Sequence, residues 1–454
     1  MTPTGLIDDT GRCAAAASRV PPGASLVALR RPAAWCLLAA LLAPLAGCSD
    51  APPPRFRLNL VQHYAKGNDP LAIPDDVQGE ERQARVEEIQ RNQQTIADLL
   101  EAVFGTPDEP IAVRIEHEVD GGPPINIGLD ADKLQVAAGK IRVDNIGKGR
   151  GLYRRHCAHC HGLTGDGKGP TAMFLNPYPR DYREGKFKFK STDATAKPTS
   201  VNTFITRPDG TREEVPSDLK RILLEGIAGT MMPSFRTLPG DELDALVEYV
   251  KYLSVRGEME LKLLEEVGSL IAGQKLDTSR RAIIDGMYKD LALSWYEAPQ
   301  AIINPKQPPP EGISLGESIA EGRRLFYDKN KGNCFSCHGT EALGDGQIEY
   351  DDWNKELAKL FEEPEAKRNL MHLGAFHIQK LPPRNLRLGV FRGGRRPLDI
   401  YRRITGGING APMPGNKTLT SDEVWHLVRY VKHLAYEPAS RGGGDPQSIT
   451  RPRQ

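Results

Sequence analysis

The sequence predicts a mainly α protein: two tandem copies of one helical domain, joined by a helical connector and preceded by a small region with one helix and short strands. Three observations predict this. The two halves of the chain repeat one another. Each half carries a Cys-x-x-Cys-His run, at Cys157-Ala158-His159-Cys160-His161 and at Cys334-Phe335-Ser336-Cys337-His338. Each half also ends in apolar residues at helical spacing; in the first these are Leu243, Leu246, Val247, Val250 and Leu253.

Taken in order, residues 1–47 read as a secretory signal. Arg30 and Arg31 precede an apolar stretch from Ala33 to Ala46, which is too short to span a bilayer as a mature helix. The stretch ends Leu45-Ala46-Gly47-Cys48, which resembles the lipobox of bacterial lipoproteins. Cys48 is then the lipidated first residue, and the alternative is an ordinary signal with a chance cysteine. The expected location is exported, on the periplasmic side of a membrane. Residues 48–75 are rich in proline (Pro52, Pro53, Pro54, Pro70, Pro74) and read as a tether with little regular structure. Residues 76–144 are expected to hold an amphipathic helix over 78–104, with Val86, Ile89, Ile96, Leu99, Leu100 and Val103 on one face. Short strands follow at 111–115 and 140–143, separated by Gly121-Gly122-Pro123-Pro124.

The first repeated domain spans 145–256 and opens a helix at Gly149-Arg150-Gly151-Leu152-Tyr153. A hairpin is expected around Pro208-Asp209-Gly210, then a helix over 218–225, a loop Gly229-Thr230-Met231-Met232-Pro233 and a terminal helix over 239–256. The connector, 257–312, carries two helical patterns (258–271 and 280–295) and ends in a stiff Pro-rich segment. The second domain spans 313–436. The tail, 437–454, is rich in Gly, Arg and Pro and reads as disordered.

The repeat is strongest where residues 218–253 align with 399–434 without a gap and about half the positions are identical. It pairs Gly226 with Gly407, Gly229 with Gly410, Met232 with Met413 and Pro233 with Pro414, while Met231 faces Pro412. Earlier, Gly149 and Tyr153 pair with Gly322 and Phe326, and Pro179-Arg180 pairs with Pro383-Arg384. The second copy carries an insertion from about Gln347 to Lys380, with a helix expected over 351–361 and two histidines, His372 and His377.

The chemistry lies in the Cys-x-x-Cys-His runs. Two thiols on one turn of backbone reach the two vinyl groups on one side of a porphyrin, and the adjacent imidazole then faces the iron; this is the attachment pattern of c-type haem. A lone Cys-x-x-Cys leaves zinc open. Here neither pair has a second Cys pair nearby, and each is followed at once by His. All seven cysteines are accounted for: Cys157, Cys160, Cys334 and Cys337 in the two runs, Cys13 and Cys36 in the leader, and Cys48 at its end. No disulfide framework remains. His161 and His338 are the expected fifth ligands. Two Met-Pro loops at matched distances make Met232 and Met413, rather than Met231, the expected sixth.

Each half resembles a class I cytochrome c domain: a first helix with an aromatic, the Cys-x-x-Cys-His site, a Met-Pro loop and a last helix. The resemblance covers about two thirds of the chain after the leader and leaves out 49–140 and the connector. It implies two covalently bound haem c groups. It also implies aromatic pairing of Tyr153 with Tyr249 and of Phe326 with Tyr430. In the family a Gly-Pro carbonyl accepts the proximal histidine N–H. Pro170 is the match in the first domain, Pro179 competes for the same role, and Pro383 is the candidate in the second, where Gly346-Gln347 replaces Gly-Pro. Arg180 and Arg384 are candidates to pair with haem propionates.

The expected function is a membrane-tethered di-haem cytochrome. It passes electrons to or from a terminal oxidase, a dehydrogenase or another cytochrome, as a carrier or complex subunit rather than a substrate-converting enzyme. The alternative is a di-haem peroxidase, for which one iron must open to peroxide. His372 and His377 keep that alternative alive, because a histidine near the second iron competes with Met413. A net charge of +1 gives no basic excess for nucleic acid.

Overall fold

The computed structural model describes residues 53–143, 149–206, 210–269, 279–305, 311–350 and 355–437. The expected signal over 1–47, Cys48, the Pro-rich run 306–310 and the tail beyond 437 lie outside them. The described residues are mainly helical, and their strands form four two-stranded antiparallel ladders.

The N-terminal region and the connector are not satellites of the first domain; they complete its core. The helix Gly79–Phe104 buries Ile96, Leu99, Leu100, Val103 and Phe104 at its C-terminal end only. Phe104 meets Tyr252 at 6.2 Å and Tyr288, from the connector, at 6.0 Å between ring centroids. The strands Arg114–His117 and Ile125–Gly128 form a hairpin across Gly121-Gly122. The helix Ala131–Ala137 lay unseen in the sequence; Asp130 caps it by accepting from the N–H groups of Asp132 and Lys133.

One helix, Gly240–Ser269, organises this core. The sequence shows one apolar face and a domain end near 256, but the helix runs on without a break. Gly257 lies within it because a Cβ there would sit 2.3 Å from Arg183; the residue serves a close approach, not a stop. Both faces of the helix are covered, so its charges are buried and paired. Glu248 accepts from the Asp130 N–H at 3.0 Å, and Arg256 lies 3.4 Å from Glu260.

Residues 53–75 depart from the bare tether that the prolines of 48–75 suggest. Leu60–Ala65 is helical and Pro70–Ala72 forms a 3-10 turn. The stretch is fixed by partners far along the chain: the Asn59 N–H donates to Glu260 at 2.5 Å, and the fully buried His63 ring lies 3.5 Å from the same carboxylate. Proline content carries no information about such contacts.

In the second domain the helix Leu315–Tyr327 crosses Ser421–His433. Both helices start with a capping box, Ser314 with Glu317 and Thr420 with Glu423. At the crossing a Cβ on Gly322 would lie 2.1 Å from the His426 carbonyl oxygen. Its repeat mate Gly149 is different. Gly149-Arg150 is a strand, Gly151 sits in the left-handed region, and the helix begins only at Leu152. A Cβ on Gly149 meets nothing closer than 3.6 Å. Alanine normally gains about 1 kcal/mol over glycine in a helix, yet overpacking costs about 1–3 kcal/mol or more. Gly322→Ala is therefore expected to lower stability by about 2 kcal/mol, and Gly149→Ala to be near neutral. Urea melts of the two haem-loaded variants check this pair, and equal midpoints would refute it.

The insertion forms a ladder, Glu349–Tyr350 with Lys380–Leu381, and two helices, Lys355–Glu362 and Pro364–His372. Its apolar face packs on the N-terminal helix through Leu357, Leu370 and Ala375 against Val61.

Candidate haem centres

Both Cys-x-x-Cys-His runs fold as one helical turn, Ala158–His161 and Phe335–His338. The His161 N–H donates to the Cys157 carbonyl and the His338 N–H to the Cys334 carbonyl, both at 2.9 Å. Two thiols and an imidazole thus come from a single turn. All four cysteines are free of disulfides. Burial pushes the Cys157 and Cys334 thiols up to about 12.

The turn ends at a left-handed glycine in each copy, Gly162 at φ 74° and Gly339 at φ 81°. The carboxylates of Asp166 and Asp345 sit where a Cβ would be. Tyr153 donates its hydroxyl to the Gly162 carbonyl at 2.9 Å. In the second copy Phe326 has no hydroxyl, and its neighbour Tyr327 donates to Thr340 at 2.6 Å. The two aromatic pairs form, Tyr153–Tyr249 at 4.7 Å and Phe326–Tyr430 at 5.5 Å.

Each proximal imidazole is oriented by a backbone carbonyl, but not by a proline's. His161 Nδ1–H donates to the Arg180 carbonyl at 3.1 Å and His338 Nδ1–H to the Arg384 carbonyl at 3.0 Å. This corrects the expectation for Pro170, Pro179 and Pro383; the acceptor is the residue after the shared proline. The Gly169-Pro170 corner packs behind the motif instead. Gly169 lies so close to His159 that a Cβ would meet its carbonyl at 2.4 Å, and the Thr171 N–H donates to that carbonyl at 3.1 Å. In the second copy the Gln347 N–H makes the corresponding bond, to Ser336, at 3.0 Å. A backbone N–H does there what the residue after proline does in the first copy, so the missing Gly-Pro is accommodated.

Burial, opposed by the Arg180 hydrogen bond, pushes His161 down to about 4 and lowers His338 in the same way. Both rings are neutral at pH 7, with the proton on Nδ1 and the Nε2 lone pair directed away from the carbonyl. Tyr182 stacks on His161 at 4.6 Å and 17°. Nothing in the sequence singled it out, because its repeat mate is the aliphatic Leu386.

The methionine loops share one frame. A left-handed glycine opens each, Gly226 at φ 68° and Gly407 at φ 73°. The Ile227 N–H donates to the Met232 carbonyl and the Ile408 N–H to the Met413 carbonyl, both at 3.0 Å. Met231 is 68% exposed, whereas Met232 is half-buried against the first core. Met413 is half-buried as well. His372 and His377 are exposed on the insertion. His377 lines a cleft shared with Tyr178 and Glu184 of the first domain.

Residues 144–250 match the family model described as cytochrome c oxidase, cbb3-type, subunit III, and residues 319–435 match cytochrome c. With a cytochrome c domain in each half, the chain is an electron-transfer protein of the c-type cytochrome class. It is a di-haem c-type cytochrome, with two covalently bound haem c groups. No curated protein matches it. A chain of the Kuenenia stuttgartiensis reducing HAO-like protein complex is similar at 24% identity, covering 65% of this chain and 99% of its own, with a TM-score of 0.38.

The donor set fits the groups: in each domain paired thiols, a neutral imidazole held by its Nδ1–H, buried at His161 and half-buried at His338, and a half-buried thioether on a closed loop. Among the described residues no helix is long and apolar enough to cross a membrane.

Proposed function

We propose that the protein is a membrane-tethered electron carrier in which Cys157 and Cys160 hold one haem and Cys334 and Cys337 the other. His161 with Met232, and His338 with Met413, are the axial ligands. The observation that carries this is the shared methionine frame, with the same glycine, the same carbonyl bond and the same half-burial in both copies. Bound haem c supplies a one-electron ferric–ferrous couple. The chain's part is to hold the imidazole by its Nδ1–H, to present the thioether and to keep water from the buried side of the ring. A haem held by both the imidazole and the thioether of its domain would have no position left for peroxide.

Cys48 supplies the anchor on the exported, periplasmic side of the membrane, and a second acyl chain makes such attachment durable. The match of residues 144–250 to a cbb3-type oxidase subunit supports a terminal oxidase as the partner. A dehydrogenase or another cytochrome is the other class of redox partner. The ferric spectrum of the full chain tests the reading: two haems per chain, both low-spin, both contributing to the weak long-wavelength Met–iron band. A high-spin ferric haem in the untreated protein, or rapid peroxide turnover, would overturn it in favour of a peroxidase-like enzyme.

A further inference from the structure

Arg384 serves the second haem site through its carbonyl, but its side chain leaves that domain. Nε donates to the Val390 carbonyl at 3.0 Å, which fixes the guanidinium plane. The guanidinium then reaches Gly229 of the first domain by its Nη2 edge: a Cβ built there would meet Nη2 at 2.7 Å, Cζ at 3.4 Å and Nη1 at 3.6 Å. Gly229 sits at φ 72° in the loop that carries Met232. That loop is closed on itself. The Thr230 N–H donates to the Ile227 carbonyl at 3.1 Å, and the Ile227 N–H to the Met232 carbonyl at 3.0 Å. A wall against Gly229 is therefore a wall against Met232.

Two further contacts join the second domain to the first beside this loop and the helix before it. Arg392, also from the second domain, donates to the Gly229 carbonyl at 3.4 Å. Arg221 of the first domain is buried against Asp399 of the second at 2.7 Å. On the first domain's side, Tyr178, two residues before Arg180, packs on Phe376 of the insertion at 4.7 Å.

We infer that Arg384 is a positioning residue for both haem sites, orienting His338 through its carbonyl and bracing the Met232 loop through its guanidinium. The inference rests on the assignment of Met232 as the first axial thioether. Every amino acid supplies the carbonyl, so a side-chain substitution leaves the His338 contact and removes the brace together with the Val390 bond that aims it. The effect of a second-domain substitution then appears at the first haem.

The test uses the full-length haem-loaded protein in a Met413→His background, where the remaining long-wavelength ferric band belongs to Met232. Imidazole is titrated in and the loss of that band is followed. Arg384→Met should lower the half-saturating imidazole concentration about three- to ten-fold, the range expected for loss of one well-placed contact. Arg384→Lys, which keeps the charge but not the forked guanidinium, should lower it by less, and its milder change guards against a variant that does not fold. An unchanged half-saturation in both variants, with two haems attached, would overturn the inference and leave the Met232 assignment standing. Absence of the band in the Arg384-containing parent would instead overturn the Met232 assignment, and the inference with it.

Discussion

Replacing Met232 with leucine should remove half of the long-wavelength Met–iron band of the ferric protein while both haems stay attached. The thioether is a soft donor that favours ferrous iron, so its loss should lower the first haem's reduction potential on the order of 0.1 V, a fraction of the roughly 0.8 V that axial ligands span. Leucine offers no donor at similar volume, so the loop keeps its packing and the change reads the ligand rather than the fold. The attachment turn and the His161–Arg180 bond at 3.1 Å are remote in sequence from the substitution. Met231→Leu is the control. Met231 is 68% exposed, and its removal should change neither the band nor the potential. A redox titration with the ferric spectrum recorded alongside separates the two variants. If Met231→Leu removes the band and Met232→Leu does not, the pairing of the two halves has been misread.

That choice between adjacent methionines shows what the sequence carries and what it lacks. Met231 and Met232 are locally equivalent; only the alignment of Met232 with Met413 distinguishes them, and the structure places Met231 outward. The aromatic pairs were legible for the same reason, since a family pattern fixes which residues face each other. The carbonyl on the proximal histidine was legible only to within one residue. Proline marks the right segment, but which carbonyl points at the ring depends on how Pro179-Arg180 and Pro383-Arg384 cross the motif. Three other features depend on distant partners. Gly149 and Gly322 share a repeat position, yet one lies in a strand and the other at a helix crossing. Asn59 and His63, within the stretch read as a tether, are held by Glu260, some two hundred residues away. The helix Gly240–Ser269 is covered on a face its periodicity marks as polar, because charges on that face find buried partners. His372 and His377 drew attention by residue type alone, and the insertion turns its apolar face to Val61 instead.

The second large effect is expected at the joint between the haem domains. Arg221 and Asp399 lie 2.7 Å apart, with the aspartate side chain 2% exposed. They sit on the helices Asp218–Glu225 and Pro397–Gly406, and each helix runs directly into a methionine loop. Burial alone would raise the Asp399 carboxyl. The Arg396 hydrogen bonds and the Arg221 and Arg396 charges outweigh it and hold the group below the usual carboxylate range. Asp399→Asn keeps the volume but leaves Arg221 buried against a neutral group. Breaking such a pair from one side costs about 3–5 kcal/mol, and the remaining Asp218 contact at 3.5 Å favours the lower end. A carboxyl whose folded pKa is depressed contributes stability that is present above its unfolded pKa of about 3.9 and is lost as pH falls through the folded value. The gap between the parent and Asp399→Asn in urea melts should therefore be full at pH 7 and close as the pH drops below about 4. Replacing both partners by apolar residues, Arg221→Met with Asp399→Leu, should cost less than Asp399→Asn alone, because the buried arginine goes with its partner and Asp218 keeps the hydrogen bonds it accepts from Ser191 and Thr199. Arg396, with its side chain 55% exposed, can turn to water in the double variant. A gap of the same size at pH 3 and pH 7 would show that Asp399 acts through the hydrogen bonds its oxygens accept rather than through its charge. A double variant weaker than the single would show that the pair does more than satisfy its own burial.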